Sequence, residues 1–180
     1  MTTKLEIERK FLVKFPTSWS VMAELFDNMI DIKRISQTYL VPEKNQPAAR
    51  VRKTVEGLSG ETHTVYHFNQ KKPTGDTGTH EETEYEIPEK DYEKALKKAN
   101  PEKCAVEKTR FVFKYHDQVF ELDVFKGHLK GLAIMEIELE DKDETVELPP
   151  FINVIKEVTK DKKFTNFSLA SKEIHSIHDI

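Results

Sequence analysis

The sequence predicts an α+β fold that is mainly antiparallel β, with about eight strands in one sheet closed or nearly closed into a barrel. Three observations carry this. Segments alternating apolar and polar residues recur along the chain. Most are joined by hairpin-length connections, with two helical excursions. On most of them the polar face carries ionisable residues two apart, where surface strands usually favour Thr and mixed polar residues.

Each element follows from its own pattern. Residues 5–13, LEIERKFLV, form a strand with Glu6, Glu8 and Lys10 on one face and Leu5, Ile7, Arg9 and Phe11 on the other. Pro16 breaks it, and Thr17 or Ser18 caps a short amphipathic helix through Trp19, Val21, Met22, Leu25 and Phe26, ending near Asn28. Strands follow at 31–41, with Gln37 and Tyr39 in phase, and at 48–56, with Arg50, Arg52 and Thr54 in phase; a loop at 42–47 separates them. After a turn at 57–60 comes a strand at 62–72, with His67, Asn69 and Lys71 on one face. The Pro- and Gly-rich stretch 72–79 is a loop. The strand at 80–87 then carries Glu82, Glu84 and Glu86 on one face.

Pro88 ends that strand, and 89–99 reads as a helix with Tyr92, Leu96 and Ala99 at apolar spacing. In the strand at 104–115, Lys108 and Arg110 oppose Phe111 and Phe113. A tight turn at His116-Asp117 leads to a strand at 119–126, where Glu121 and Asp123 oppose Phe120, Leu122 and Val124. The strand at 132–141 sets Glu136, Glu138 and Glu140 against Met135, Ile137 and Leu139. The tail reads as a helix-like 151–155 and a last helix through Leu169 and Ala170 capped by Asn166. No internal repeat or boundary divides the chain, so 1–180 is read as one domain.

Composition sets limits. Hydrophobic residues make up 37% and charged residues 33%, yet eleven Phe and five Tyr supply core material, which favours a folded chain over a disordered one. A net charge of -4 gives no overall steering toward nucleic acid or an anionic membrane. The single Cys104 has no internal disulfide partner and no CxxC neighbour, and reads as a strand residue in a reducing compartment. No signal-peptide pattern or membrane-length apolar run is present, so the expected location is cytoplasmic. His63 and His67 lie four apart in a strand, where that spacing makes no helical zinc pair. His175 and His178 read as solvent-exposed, and no P-loop or GxSxG elbow occurs.

A polar face on any one strand is ordinary solvation. Six strands carrying like charges two apart are harder to explain that way. If those faces turn inward, the lumen holds charges that must be paired or bound to ions. Acidic rows suit hard cations such as Mg²⁺ or Mn²⁺, and basic rows suit phosphates. A lumen with both suits a metal-bound polyphosphate.

The same residues resemble the motifs of the CYTH superfamily, the triphosphate tunnel metalloenzymes. EIERKFLV is similar to the ExExK signature, Gln37-Thr38-Tyr39-Leu40 to QxYL, Arg50-Val51-Arg52 to RVR and Lys71 to a T-x-K lysine. Glu82-Thr83-Glu84 resembles ExE, Lys108-Thr109-Arg110 is KTR, and Glu121 and Asp123 match ExD, followed by Gly127 and Gly131-Leu132. Glu136 and Glu138 match a further ExE, and Glu157-Val158-Thr159, Asp161 and Asn166 match the tail. The ordered match covers almost the whole chain. The start looks most like the short bacterial triphosphatase branch; class IV adenylyl cyclases and thiamine triphosphatases are relatives.

The resemblance implies an eight-stranded antiparallel tunnel and divides its labour. Lys10, Arg50, Arg52, Lys71, Lys108 and Arg110 would clamp phosphate oxygens. Glu6, Glu8, Glu136 and Glu138 would hold Mg²⁺ or Mn²⁺, with Glu121 and Asp123 as ligands or their support. Glu82 and Glu84 would bind metal or orient the bases. Hydrolysis of a small-molecule triphosphate is expected, with water attacking in line and no general base singled out. A cyclase making cyclic AMP, or a non-catalytic polyphosphate binder, stays open; an adenine pocket is not located, and a plain anion binder gains nothing from carboxylates. A homodimer is implied by analogy. Departures from the pattern are His80 for a frequent arginine, Asn69 for Thr, Phe120 for Trp and Phe164 for Tyr.

Overall fold

The computed structural model describes all residues except 1, 16, 45, 58–59 and 76–78, and gives backbone alone for 2–4. The expected break at Pro16, the tip of the 57–60 turn and the middle of the 72–79 loop lie outside the described residues. The strands are β1 (Thr2–Lys14), β2 (Met29–Tyr39), β3 (Ala49–Glu56), β4 (His63–Pro73), β5 (Thr79–Glu86), β6 (Val106–Tyr115), β7 (Gln118–Phe125), β8 (Ala133–Leu139) and β9 (Asn153–Glu157). The helices are α1 (Trp19–Asp27), α2 (Glu89–Leu96) and the single turn α3 (Asn166–Leu169).

All strands join one antiparallel sheet in the order β5-β4-β3-β2-β6-β7-β8-β1-β9. A further pairing of β5 with β1 closes the first eight strands of that order into a barrel. β1 makes the closure because it is long enough to serve three partners. Its residues 2–7 pair with β5, 7–12 with β8, and 11–14 with β9. Since Ile7 pairs with both Thr79 and Leu139, β5 and β8 lie on opposite edges of β1. β9 therefore shares the β5 edge, farther along the strand.

The barrel is turned inside out relative to a soluble core. Phe113, Phe120, Leu122, Met135, Ile137 and Phe11 all belong to the phase opposite the charged rows. They pack outside the wall with Leu25 of α1 and with Ile152. Phe113, Phe120, Leu122 and Met135 are fully buried, and each such side chain contributes roughly 1.5–3 kcal/mol. On the far side, Val51, Tyr66 and Phe68 of β3 and β4 pack under Tyr92, Ala95 and Leu96 of α2. The helices thus cover apolar outer faces and leave the lumen to the charges.

One end of the lumen is closed by a change of residue type within the same phase. Lys10 gives way to Leu12, Lys108 to Val106, Asp123 to Phe125, Glu136 to Ile134 and Gln37 to Tyr39. Apart from Gln37 and the charged residues, these side chains gather with Phe164, Leu169 and Ala170 from the C-terminal segment into an apolar plug. The tail is tied back to β1: Thr159 Oγ1 accepts from Lys10 N at 3.0 Å, and Val158 N donates to Lys10 O at 2.8 Å.

Several expectations are corrected. The helix-like 151–155 is instead a turn leading into β9. Val154 packs into the outer core while Asn153 and Ile155 face out, the period of a strand. The last helix is capped by Thr165, whose Oγ1 accepts from Ser168 N, and not by Asn166. The α2 helix stops at Leu96; beyond it the chain turns so that Ala99 bridges to Leu40. β6 starts at Val106, which leaves Cys104 half-buried just before it. The His116-Asp117 turn is present, with His116 at φ 51°, a left-handed conformation that His tolerates better than most residues.

A charged tunnel as the candidate active site

Period-2 alternation brings the charged rows together. Glu6, Glu8, Lys10, Arg50, Arg52, Lys71, Glu82, Glu84, Lys108, Arg110, Glu121, Glu136 and Glu138 all line one cavity of about 590 Å³. Of the residues expected at the site, Asp123 alone does not line it; it lies fully buried in the wall beneath. Arg9, out of phase, leaves the lumen and pairs with Glu157 on β9 through Nε and Nη2 at 3.0 and 2.8 Å.

The wall made by β6, β7, β8 and β1 is a closed ion-pair network. Asp123 takes hydrogen bonds from Lys108 Nζ and, at 2.7 Å each, from Arg110 Nε and Nη2. Arg110 also contacts Glu121 and reaches Glu136 at 3.0 Å. Lys10 Nζ donates to Glu136 at 2.8 Å and sits 3.3 Å from Glu8. Burial favours neutral forms here, but the partners outweigh it for most members. Burial would raise the Glu136 carboxyl; Lys10, Lys108 and Arg110 hold it well below the usual range. Burial would lower Lys10 and Arg110, yet their carboxylates keep both above ordinary values. Lys108 is the exception: burial wins over Asp123 and its pKa falls.

The wall made by β3, β4 and β5 is looser. Arg52 Nη2 meets Glu84 at 2.6 Å, and Arg50 stands 3.7 Å from Glu82. Asn69, fully buried, donates to both Glu82 and Glu84. Lys71 Nζ contacts Glu6 and lies 4.0 Å from Glu8 and 3.9 Å from Glu82. Burial lowers Arg52 and raises Glu6 against the pull of Lys71. Buried polar atoms without a hydrogen-bond partner among the described residues gather on this side: Arg50 Nε, Arg52 Nε, His67 Nδ1, Asn69 Oδ1 and His80 Nδ1. Unmet guanidinium donors suit an incoming phosphate oxygen, and carboxylates sharing a single ammonium suit a divalent cation.

His67, Gln37 and Asn166 also line the cavity without having been singled out as site residues. The signal for His67 and Asn69 was their phase with Lys71. A second cavity, of about 320 Å³, shares Glu8, Lys10, Arg50, Lys71 and Asn166 with the first and adds Tyr39, Pro47, His80 and Phe167.

The structure is thus a closed antiparallel barrel, a tunnel with acids and bases interleaved along its lumen. The chain belongs to the CYTH domain family, whose profile matches residues 4–165. It is 34% identical over 169 residues to an inorganic triphosphatase of Nitrosomonas europaea, covering 92% of this chain and 96% of that one. An inorganic triphosphatase of Acetivibrio thermocellus is 38% identical over 88 residues, 49% of this chain and 54% of that one. A crystal structure of an inorganic triphosphatase superposes with a TM-score of 0.55 at 30% identity, covering 92% of this chain and 93% of that one.

Proposed function

We propose that this chain is a divalent-metal-dependent triphosphatase that hydrolyses a small-molecule triphosphate within its tunnel, inorganic tripolyphosphate first among the candidates. The observation that carries the reading is the mixture in one cavity of six phosphate-type cations with carboxylates from β1, β5, β7 and β8. A site for a bare polyanion would be basic throughout. Carboxylates beside guanidinium groups make sense when cation and polyanion arrive together.

In this reading Arg50, Arg52, Lys71 and Arg110 bind and orient the phosphate chain, and Lys10 and Lys108 meet it at the plugged end. Arginine suits the charge that spreads over equatorial and leaving oxygens during transfer. Glu6, Glu8, Glu136 and Glu138 would hold Mg²⁺ or Mn²⁺, which supplies charge neutralisation and an acidified water. Asp123 supports Lys108 and Arg110 instead of binding metal, because both of its oxygens are taken and it is fully buried. Asn69 and Lys71 position the β5 and β1 carboxylates.

The test is incubation with Mg²⁺ or Mn²⁺ and, in turn, tripolyphosphate, ATP and thiamine triphosphate, with products followed by phosphorus NMR. Orthophosphate released from tripolyphosphate is the expected result. Cyclic AMP and pyrophosphate from ATP, or binding without turnover, would overturn the reading.

A further inference from the structure

We propose that His80 supplies an imidazole nitrogen to the divalent cation held by Glu6 and Glu8, making that end of the tunnel a mixed oxygen and nitrogen site. The inference rests on the reading of Glu6 and Glu8 as cation ligands, and goes beyond it in the ligand type and the metal chosen. The topology makes the meeting unavoidable. β5 closes the barrel on β1 with His80 directly opposite Glu6, and residues so paired in an antiparallel ladder project from the same face. Glu8 is two residues along β1, in the same phase.

Distances agree. One donor atom each from Glu6, Glu8 and His80 lie within 4.8 Å of one another. Donors around an ion with bonds of about 2.1 Å stand at most about 4 Å apart. Only one pair of three donors can take that widest, trans spacing, and neighbouring donors stand about 3 Å apart, so closing the set needs the side chains to draw in by roughly 1–2 Å. Two further observations point to a ligand. The Nδ1 of His80 is buried and has no hydrogen-bond partner among the described residues, a state that costs free energy unless something binds it. The ammonium of Lys71 lies between the two carboxylates, in contact with Glu6 and 4.0 Å from Glu8. A positive charge already neutralises this cluster, and a four-carbon stem lets it swing away when a cation replaces it.

A nitrogen donor changes the selection. Mg²⁺ favours all-oxygen surroundings, whereas Mn²⁺, Co²⁺ and Zn²⁺ accept imidazole progressively better. His80 accordingly biases the site away from Mg²⁺, while the oxygen-only pair Glu136 and Glu138 carries no such bias.

The test uses the whole protein, stripped of metal and loaded with Mn²⁺ alone. Pulsed electron paramagnetic resonance on the wild type should show nitrogen coupling from a directly bound imidazole, and the coupling should vanish in His80→Gln. Titration calorimetry should find the preference for Mn²⁺ over Mg²⁺ reduced about tenfold in His80→Gln. Mn²⁺ bound without nitrogen coupling in the wild type, or coupling that survives in His80→Gln, overturns the proposal. Glu6→Gln separates the two levels. If Glu6→Gln abolishes tight Mn²⁺ binding and His80→Gln leaves the metal preference unchanged, only the role of His80 falls. If Glu6→Gln binds Mn²⁺ as the wild type does, the reading of the carboxylates falls with it.

Discussion

The two walls of the tunnel hold the same kinds of charge in different states. On the β6–β7–β8–β1 wall, Asp123, Lys108, Arg110, Glu136 and Lys10 are tied to one another by direct contacts, and the center of that network is fully buried. On the β3–β4–β5 wall, Arg50 and Arg52 each keep a buried Nε without a partner among the described residues, and Lys71 spans three carboxylates at unequal distances. One wall pairs its charges with one another, and the other pairs them less completely. A buried charge network costs most when one partner is removed, because the other is left unpaired in low dielectric. A half-satisfied wall costs less to alter and is easier to reorganise around an incoming ion.

The sharpest way to break that comparison is Asp123→Ala. It strands the buried Lys108 and the mostly buried Arg110, and should destabilise the fold by about 3–5 kcal/mol, read from urea unfolding. A loss under about 1 kcal/mol would mean that solvent reaches this wall and that the network is not structural. Arg52→Ala probes the other wall. It removes a cation whose charge-assisted hydrogen bonds to a phosphate are worth about 1.5–3 kcal/mol. The KM for tripolyphosphate should therefore rise about 10- to 100-fold, with a smaller effect on unfolding than Asp123→Ala. An unchanged KM would move the phosphate chain off the β3–β4–β5 wall.

Much of this was legible in the residues because a barrel strand converts phase directly into inside and outside. Glu6, Glu8 and Lys10 reach the lumen for the same reason that Leu5 and Arg9 do not. What alternation does not report is pairing across strands. Nothing local to 119–126 says that Asp123 would be sealed beneath Arg110 while Glu121, two residues away, remains on the cavity wall. That difference depends on where β6 and β8 stack against β7. The role of His80 was hidden for the same reason: its partner lies 74 positions earlier in the chain and is met only at barrel closure. β9 was misread because 151–155 is short, with its start held in a turn after Pro149-Pro150, and its strand character comes from the free edge of β1 beyond β5. The apolar plug could be read in part, since Leu12, Val106, Phe125 and Ile134 each follow or precede a charged residue in phase. Its closure by Phe164 and Leu169 depended on tertiary packing.

Arg9 and Lys10 reduce the comparison to two neighbouring cations. Lys10 is buried between Glu8 and Glu136, whereas Arg9 lies on the outer face with Glu157 as its partner. The Arg9 side chain is 34% exposed and that of Glu157 is 42% exposed, and ion pairs in such surroundings contribute about 0–1 kcal/mol. The pair also helps hold β9 on β1, so its loss should register first as local opening at that edge. Arg9→Ala is expected to shift unfolding by less than about 1 kcal/mol, to raise amide exchange in β9, and to leave kcat and KM for tripolyphosphate at wild-type values. A marked fall in kcat with an intact fold would place Arg9 within reach of the substrate. That outcome would break the phase assignment of β1, on which the division between the tunnel and its outer face depends.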